Sequence, residues 1–180
     1  ENAITTIAAA AKMTGNLGLL HAYCSSPSAC IDIDNLAAAT TLLETEGINI
    51  ALLLDAPDAV QISSGRVNRA KLLYRLPEGT PSLETIQIED ARTKTMVVEF
   101  RSASRGGKSV QDVLPPSIHP KTGKEYTWAG RGHWSKLPEL PPVLLQFWKH
   151  HLEQRGASSI GTTACSAANP VVAVPPETIQ

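Results

Sequence analysis

The sequence predicts one α+β domain over residues 1–155, followed by a flexible tail or linker over 156–180. Three observations carry this. Several stretches alternate apolar and polar residues with period two, as in Ala29-Cys30-Ile31-Asp32-Ile33-Asp34, and read as strands. Other stretches place apolar residues at helical spacing behind capping residues or proline. The 180 residues are 42% hydrophobic, enough for one core.

In chain order, the alanine-rich segment from Ala3 to Met13 reads as a helix. Gly15 and Gly18 break it, Leu17 to Tyr23 reads as a strand, and Ser25 to Ser28 as a turn around Pro27. The strand carrying Asp32 and Asp34 follows. Asn35 is positioned to cap a helix running to about Glu46, with Leu36, Ala39, Leu42 and Leu43 inward and Gly47 as its stop. The apolar run Ile48 to Leu54 is a strand or a short buried segment. Ala59 to Ser63, Ala70 to Leu76, Leu83 to Ile88, Thr95 to Phe100 and Val110 to Leu114 supply further strands. Pro120-Lys121-Thr122-Gly123 is a turn, with Glu125 to Trp128 as the returning arm of a hairpin. A last helix spans about Val143 to Gln154, with Leu144, Phe147, Trp148 and Leu152 as its core face. From Gly156 on, the chain is small, polar and proline-containing.

The formal net charge of −1 excludes binding to nucleic acid through the field of the whole molecule and leaves that task to local basic clusters. Three cysteines, an odd number without a C-x-x-C pair, do not make a secreted disulfide framework and point to a reducing, cytoplasmic setting. His21, Cys24 and Cys30 lack a fourth partner for zinc, which favours ordinary buried roles. No apolar run approaches the roughly 20 residues that span a membrane. A start at Glu1 instead of Met suggests an excised fragment.

Chemistry concentrates at three places. Asp32 and Asp34 on one strand face would stand about 6.5–7 Å apart, and their repulsion is offset well by a divalent cation. Two solvated aspartates at a strand end are the alternative that spacing alone leaves open. Ser64-Gly65-Arg66, Arg69 and Lys71 offer hydroxyl and cationic donors suited to a triphosphate. Glu99 adds a third carboxylate, and three carboxylates can hold the two metals that clamp an in-line phosphoryl transfer. Arg101, Arg105 and Lys108 are candidates for a template groove. His119 could contact phosphate or template, or be satisfied by its own turn. Trp128 or Trp134 could stack on a base, although the core is the first expectation for both.

In order and spacing these features resemble the bifunctional primase-polymerase (prim-pol) branch of the archaeo-eukaryotic primase superfamily, found in phages, prophages and plasmids. Asp32 and Asp34 match its Asp-x-Asp motif and Glu99 its third, acidic motif. Ser64-Gly65-Arg66 with Lys71-Leu72-Leu73-Tyr74-Arg75-Leu76-Pro77 resembles its Ser-x-His motif. Asn16-Leu17-Gly18-Leu19, Leu114-Pro115-Pro116-Ser117-Ile118-His119-Pro120, Gly123, Tyr126 and Trp128 extend the likeness over roughly residues 14 to 130. Lys71 stands where the motif carries a histidine, unless Arg69 is the counterpart through a register slip of two.

The resemblance implies an RRM-like antiparallel sheet and a template-directed nucleotidyltransferase, a DNA primase, a DNA polymerase or both. It implies Mg²⁺ or Mn²⁺ on Asp32, Asp34 and Glu99. Ser64, Gly65, Arg66, Arg69, Lys71 and His119 would serve the nucleotide. The implied partners are single-stranded or primed DNA template, NTP or dNTP, and a helicase domain or protein in a larger replication protein. The rival readings are a metal-dependent nuclease and a non-catalytic nucleic-acid-binding replication module.

Overall fold

The computed structural model describes residues 15–156. The helix expected over 3–13 and the tail after Gly156 lie outside the described residues.

Two strands begin and frame the fold. β1 (Leu17–Leu20) is shorter than the sequence suggests, because the chain tightens into a 3-10 turn at His21–Tyr23. β2 (Ser28–Ile33) follows. Helix α1 (Leu36–Glu44) starts where expected: Asn35 accepts a hydrogen bond from the Ala38 N–H with its side chain, and Ala39 and Leu43 are buried. Where the pattern allows a strand or a short buried segment over Ile48–Leu54, the chain instead forms helix α2 (Ile50–Leu54). Asn49 caps it through the Leu52 N–H, and Leu52 is turned to solvent. A short apolar run does not distinguish the two by periodicity, and the cap decides.

The remaining strands are β3 (Val60–Ser63), β4 (Ala70–Arg75), β5 (Ile86–Glu89), β6 (Met96–Arg101), β7 (Gln111–Leu114) and β8 (Thr127–Ala129). Helix α3 (Pro142–Gln154) closes the described chain with Leu144, Phe147, Trp148 and Leu152 buried, as its spacing predicts. Six strands form one sheet in the order β5-β6-β2-β4-β3-β8, every pair antiparallel. Its centre, β6-β2-β4-β3, is antiparallel, consistent with the RRM-like antiparallel sheet that the resemblance implies. The α+β expectation therefore holds. β1 and β7 form a separate antiparallel ribbon.

Alternation along β2 and β4 divides the side chains between two layers. Ala29, Ile31, Ile33, Leu72 and Tyr74 join Phe100 and the helices in the main core. Phe100 packs against Phe147 at 5.3 Å and edge-on to Trp148 at 5.5 Å, which docks α3 on β6. On the other face Cys30, Val60, Ile62 and Leu73 form a smaller cluster with Leu19 of β1 and Leu114 of β7. The ribbon thus covers part of the face that carries the polar residues. The Pro120–Gly123 turn forms, with the His119 N–H donating to the Lys124 carbonyl. Beyond that bond, its returning arm meets the outgoing one through the Ile118–Glu125 bridge and the Tyr126 N–H to Ser117 carbonyl bond. It then leaves to pair with β3 as β8, so the expected hairpin is only partial.

Candidate active site

The register of the central strands builds the site. Asp32 of β2 stands opposite Lys71 of β4 on one side and opposite Glu99 of β6 on the other, and Gln87 of β5 stands opposite Glu99. Lys71, Asp32, Glu99 and Gln87 therefore form one row across four strands on the face away from the helices. Directly opposed side chains in such a ladder have Cβ atoms about 4.5–5.5 Å apart. Asp34 does not continue this row on the strand, as its spacing suggests. β2 ends at Ile33, and the N–H groups of Asp34 and Asn35 both donate to the Val97 carbonyl as the chain turns into α1. The Asp34 carboxylate pairs with Arg69.

Each carboxylate in the row has a cationic neighbour. Lys71 Nζ lies 3.0 Å from Asp32 Oδ2, and Arg101 Nη1 donates to Glu99 Oε2 at 2.5 Å. Gln87 also donates to Glu99. A fourth carboxylate joins these pairs, and no sequence pattern marks it. Asp112 of β7 is only 2% exposed. It accepts from Lys71 Nζ at 2.5 Å, from Arg101 Nε at 3.1 Å and from His21 Nε2 at 2.7 Å, while His21 Nδ1 meets Ser28 Oγ at 2.8 Å. Burial pushes the Asp112 carboxyl up, but the His21 hydrogen bond and the charges of Lys71 and Arg101 outweigh it and hold the group well below the usual carboxylate range. For Asp32 burial prevails over Lys71, and its carboxyl is raised. His21 is thus committed to Asp112 and Ser28, and Cys24 to the Leu20 carbonyl. In sequence Asp112 shows only as a carboxylate on a short strand before the Pro-Pro-Ser-x-His stretch, which does not mark it as part of a site.

Beside the row opens a pocket lined by Asp32, Ile62, Ser64, Arg66, Arg69, Ala70, Lys71, His119 and Tyr126. Five of the six residues read as nucleotide-binding converge on it. The sixth, Gly65, sits in the same loop with its N–H bonded to Ser63 Oγ. Arg66 is exposed and, among the described residues, in no ion pair. His119 accepts with Nδ1 from the Lys121 and Thr122 N–H groups, which leaves Nε2 as its donor. The loop is held by Asn68, at φ 58°. Asn68 donates to Asn35 Oδ1, accepts from the Ala37 N–H and takes the Leu36 N–H on its carbonyl. Among the template candidates, Arg105 and Lys108 are exposed, whereas Arg101 is engaged inside the site with Glu99, Asp112 and the Gln111 carbonyl.

Asp32 and Glu99 offer oxygen donors in adjacent positions, the chemistry a hard divalent cation needs. Lys71, Arg101 and Arg69 supply the compensating charge to the three carboxylates, and no group of three or more His, Cys, Asp or Glu is gathered closely enough to hold a metal among the described residues. No helix among them is long and apolar enough to cross a membrane.

The family model described as "Bifunctional DNA primase/polymerase, N-terminal" matches residues 1–143. Comparison with curated proteins and with solved structures gives no match.

Proposed function

The chain belongs to the bifunctional DNA primase/polymerase family, whose members are nucleotidyltransferases, and from that premise we propose how its own residues divide the work. The pocket beside Asp32 receives the triphosphate of an incoming NTP or dNTP, and the carboxylate row serves transfer of the nucleotidyl group to a primer 3′-hydroxyl. The observation that carries this reading is the convergence of Ser64, Arg66, Arg69, Lys71 and His119 on one pocket that also reaches Asp32.

Each residue has a role its chemistry fits. Ser64 Oγ and His119 Nε2 donate to phosphate oxygens. Arg66 offers a planar guanidinium fork for two such oxygens. Arg69 and Lys71 rest on Asp34 and Asp32 and exchange those carboxylates for phosphate when the nucleotide arrives. Asp32 and Glu99 are the residues that would hold Mg²⁺ or Mn²⁺; Asp34 would join them only on leaving Arg69. Such ions supply, when bound, charge that stabilises the transferring phosphoryl group and favours ionisation of the attacking hydroxyl. The partners in this reading are single-stranded or primed DNA, and a helicase that exposes the template.

Primer extension, run with and without a primer and with Mg²⁺ and Mn²⁺ compared, tests the reading. Extension by the unmodified chain, reduced at least a hundredfold in Asp32→Asn and in Glu99→Gln, is expected. DNA cleavage without nucleoside triphosphate would favour a nuclease, and activity indifferent to both substitutions would favour a non-catalytic module.

A further inference from the structure

The three tryptophans have different fates. Trp148 is buried in the core, its Nε1–H donating to the Glu84 carbonyl. Trp128 and Trp134, for which the core is the first expectation, remain 37% and 54% exposed. Their rings stack, with centroids 6.2 Å apart and planes 21° from parallel, and the His133 ring lies 5.2 Å from that of Trp134. Exposed, parallel aromatic faces of this kind are not explained by packing.

The surface is rigidly built. Gly130 and Gly132 press on the backbone of Asp58 and Ala59: a Cβ on either would fall 2.2 Å from the Ala59 carbonyl oxygen or 2.1 Å from that of Asp58. The Gly132 N–H donates to the Ala59 carbonyl at 2.8 Å, and Arg131 pairs with Asp55. The loop is pinned to the start of β3, and Trp134 is held outside.

Its position adjoins the pocket. Trp128 stands opposite Ile62 in the β3–β8 ladder, and residues directly opposed share a face. Ile62 and the nearby Tyr126 line the pocket. From Tyr126 to Lys136 the chain carries no Asp or Glu to repel a polyanion; its cations are Lys136 and Arg131, the latter paired with Asp55.

We propose that Trp134, stacked on Trp128, is a platform on which bases of an unpaired DNA strand stack beside the nucleotide pocket. The proposal rests on the reading of that pocket and names the second ligand of the same site. Stacking suits this task because every base presents a π-face, so a template of any sequence is accepted. A platform held in place before binding also loses little side-chain freedom on binding.

The test is the affinity of the full chain for a fluorescein-labelled oligodeoxythymidine, followed by anisotropy without nucleotide. Trp134→Ala and Trp128→Ala should each bind about tenfold more weakly. Trp134→Phe, which keeps a π-face, should retain most of the affinity. The nucleotide KM of Trp134→Ala at saturating primed template should be unchanged, and its thermal melt should match that of the unmodified chain. Unmodified affinity in Trp134→Ala, or no binding by the unmodified chain, would overturn the proposal. So would a raised nucleotide KM with DNA affinity intact, which would assign the platform to the incoming base or to another partner. If Lys71→Ala leaves the nucleotide KM alone while Trp134→Ala weakens DNA binding, the pocket reading fails and the platform stands.

Discussion

Asp112 is the residue on which the two halves of the site depend. It holds the Lys71 ammonium from one oxygen and the Arg101 guanidinium and His21 from the other, so it fixes a cation of the pocket and the cation beside Glu99 at once. Its folded pKa lies below the unfolded value of about 3.9, so it contributes stability above that pH, and the contribution is lost as pH falls. Asp112→Asn should therefore cost about 3 kcal/mol at pH 7, where it leaves buried cations without their partner. The difference from the unmodified chain should narrow as pH falls below about 4. Urea midpoints at several pH values check this, and a difference independent of pH would contradict it. Nothing around residue 112 announces the role. Its burial arises because β7 pairs with β1, which brings it to His21, 91 residues away, and no local pattern encodes that pairing.

At the scale of elements, the loop from Ser64 to Arg69 is ordered less by its own contacts than by Asn68, whose side chain joins it to Asn35 and to the first turn of α1. Its left-handed φ is one asparagine tolerates better than alanine. Asn68→Ala should lower stability by about 1–2 kcal/mol through the lost bonds and the strained backbone. It should also raise the nucleotide KM, because the loop carrying Ser64 and Arg66 is released. Equal urea midpoints, or an unaltered KM, would contradict this. The same elements show what could be read in advance. The strand alternation of 29–33 and 70–75, the Asn35 cap and the buried stripe of α3 are local properties, and they were legible. The helix Ile50–Leu54 was not, because five apolar residues fit either period. The departure of β8 from its hairpin was not, because its partner β3 lies more than 60 residues upstream. The exposed Trp128 and Trp134 run against the expectation that aromatic side chains seek the core, although the Gly-Arg-Gly-His segment between them is typical of a surface turn.

The described chain is built around a sheet with two unlike faces. One is sealed by α1, α2 and α3, and the other carries the polar row, the pocket and the aromatic platform, partly covered by the β1–β7 ribbon. The residue types and their order on this second face could be read in sequence, but which of them meet could not. Cross-strand register set Asp32 between Lys71 and Glu99, and the turn into α1 drew Asp34 to Arg69. If this face holds a nucleotide triphosphate at Lys71, steady-state primer extension by Lys71→Ala will show it. The nucleotide KM should rise by the equivalent of about 1.5–3 kcal/mol, the range for a hydrogen bond to a charged group, with the affinity for primed template unchanged. Lys71→His should restore part of the loss and add a pH dependence near about 6.5, active on the acid side where the imidazole is charged. A Lys71→Ala chain with normal nucleotide KM and weakened template binding would contradict this, because Lys71 would then contact the DNA backbone and not the triphosphate.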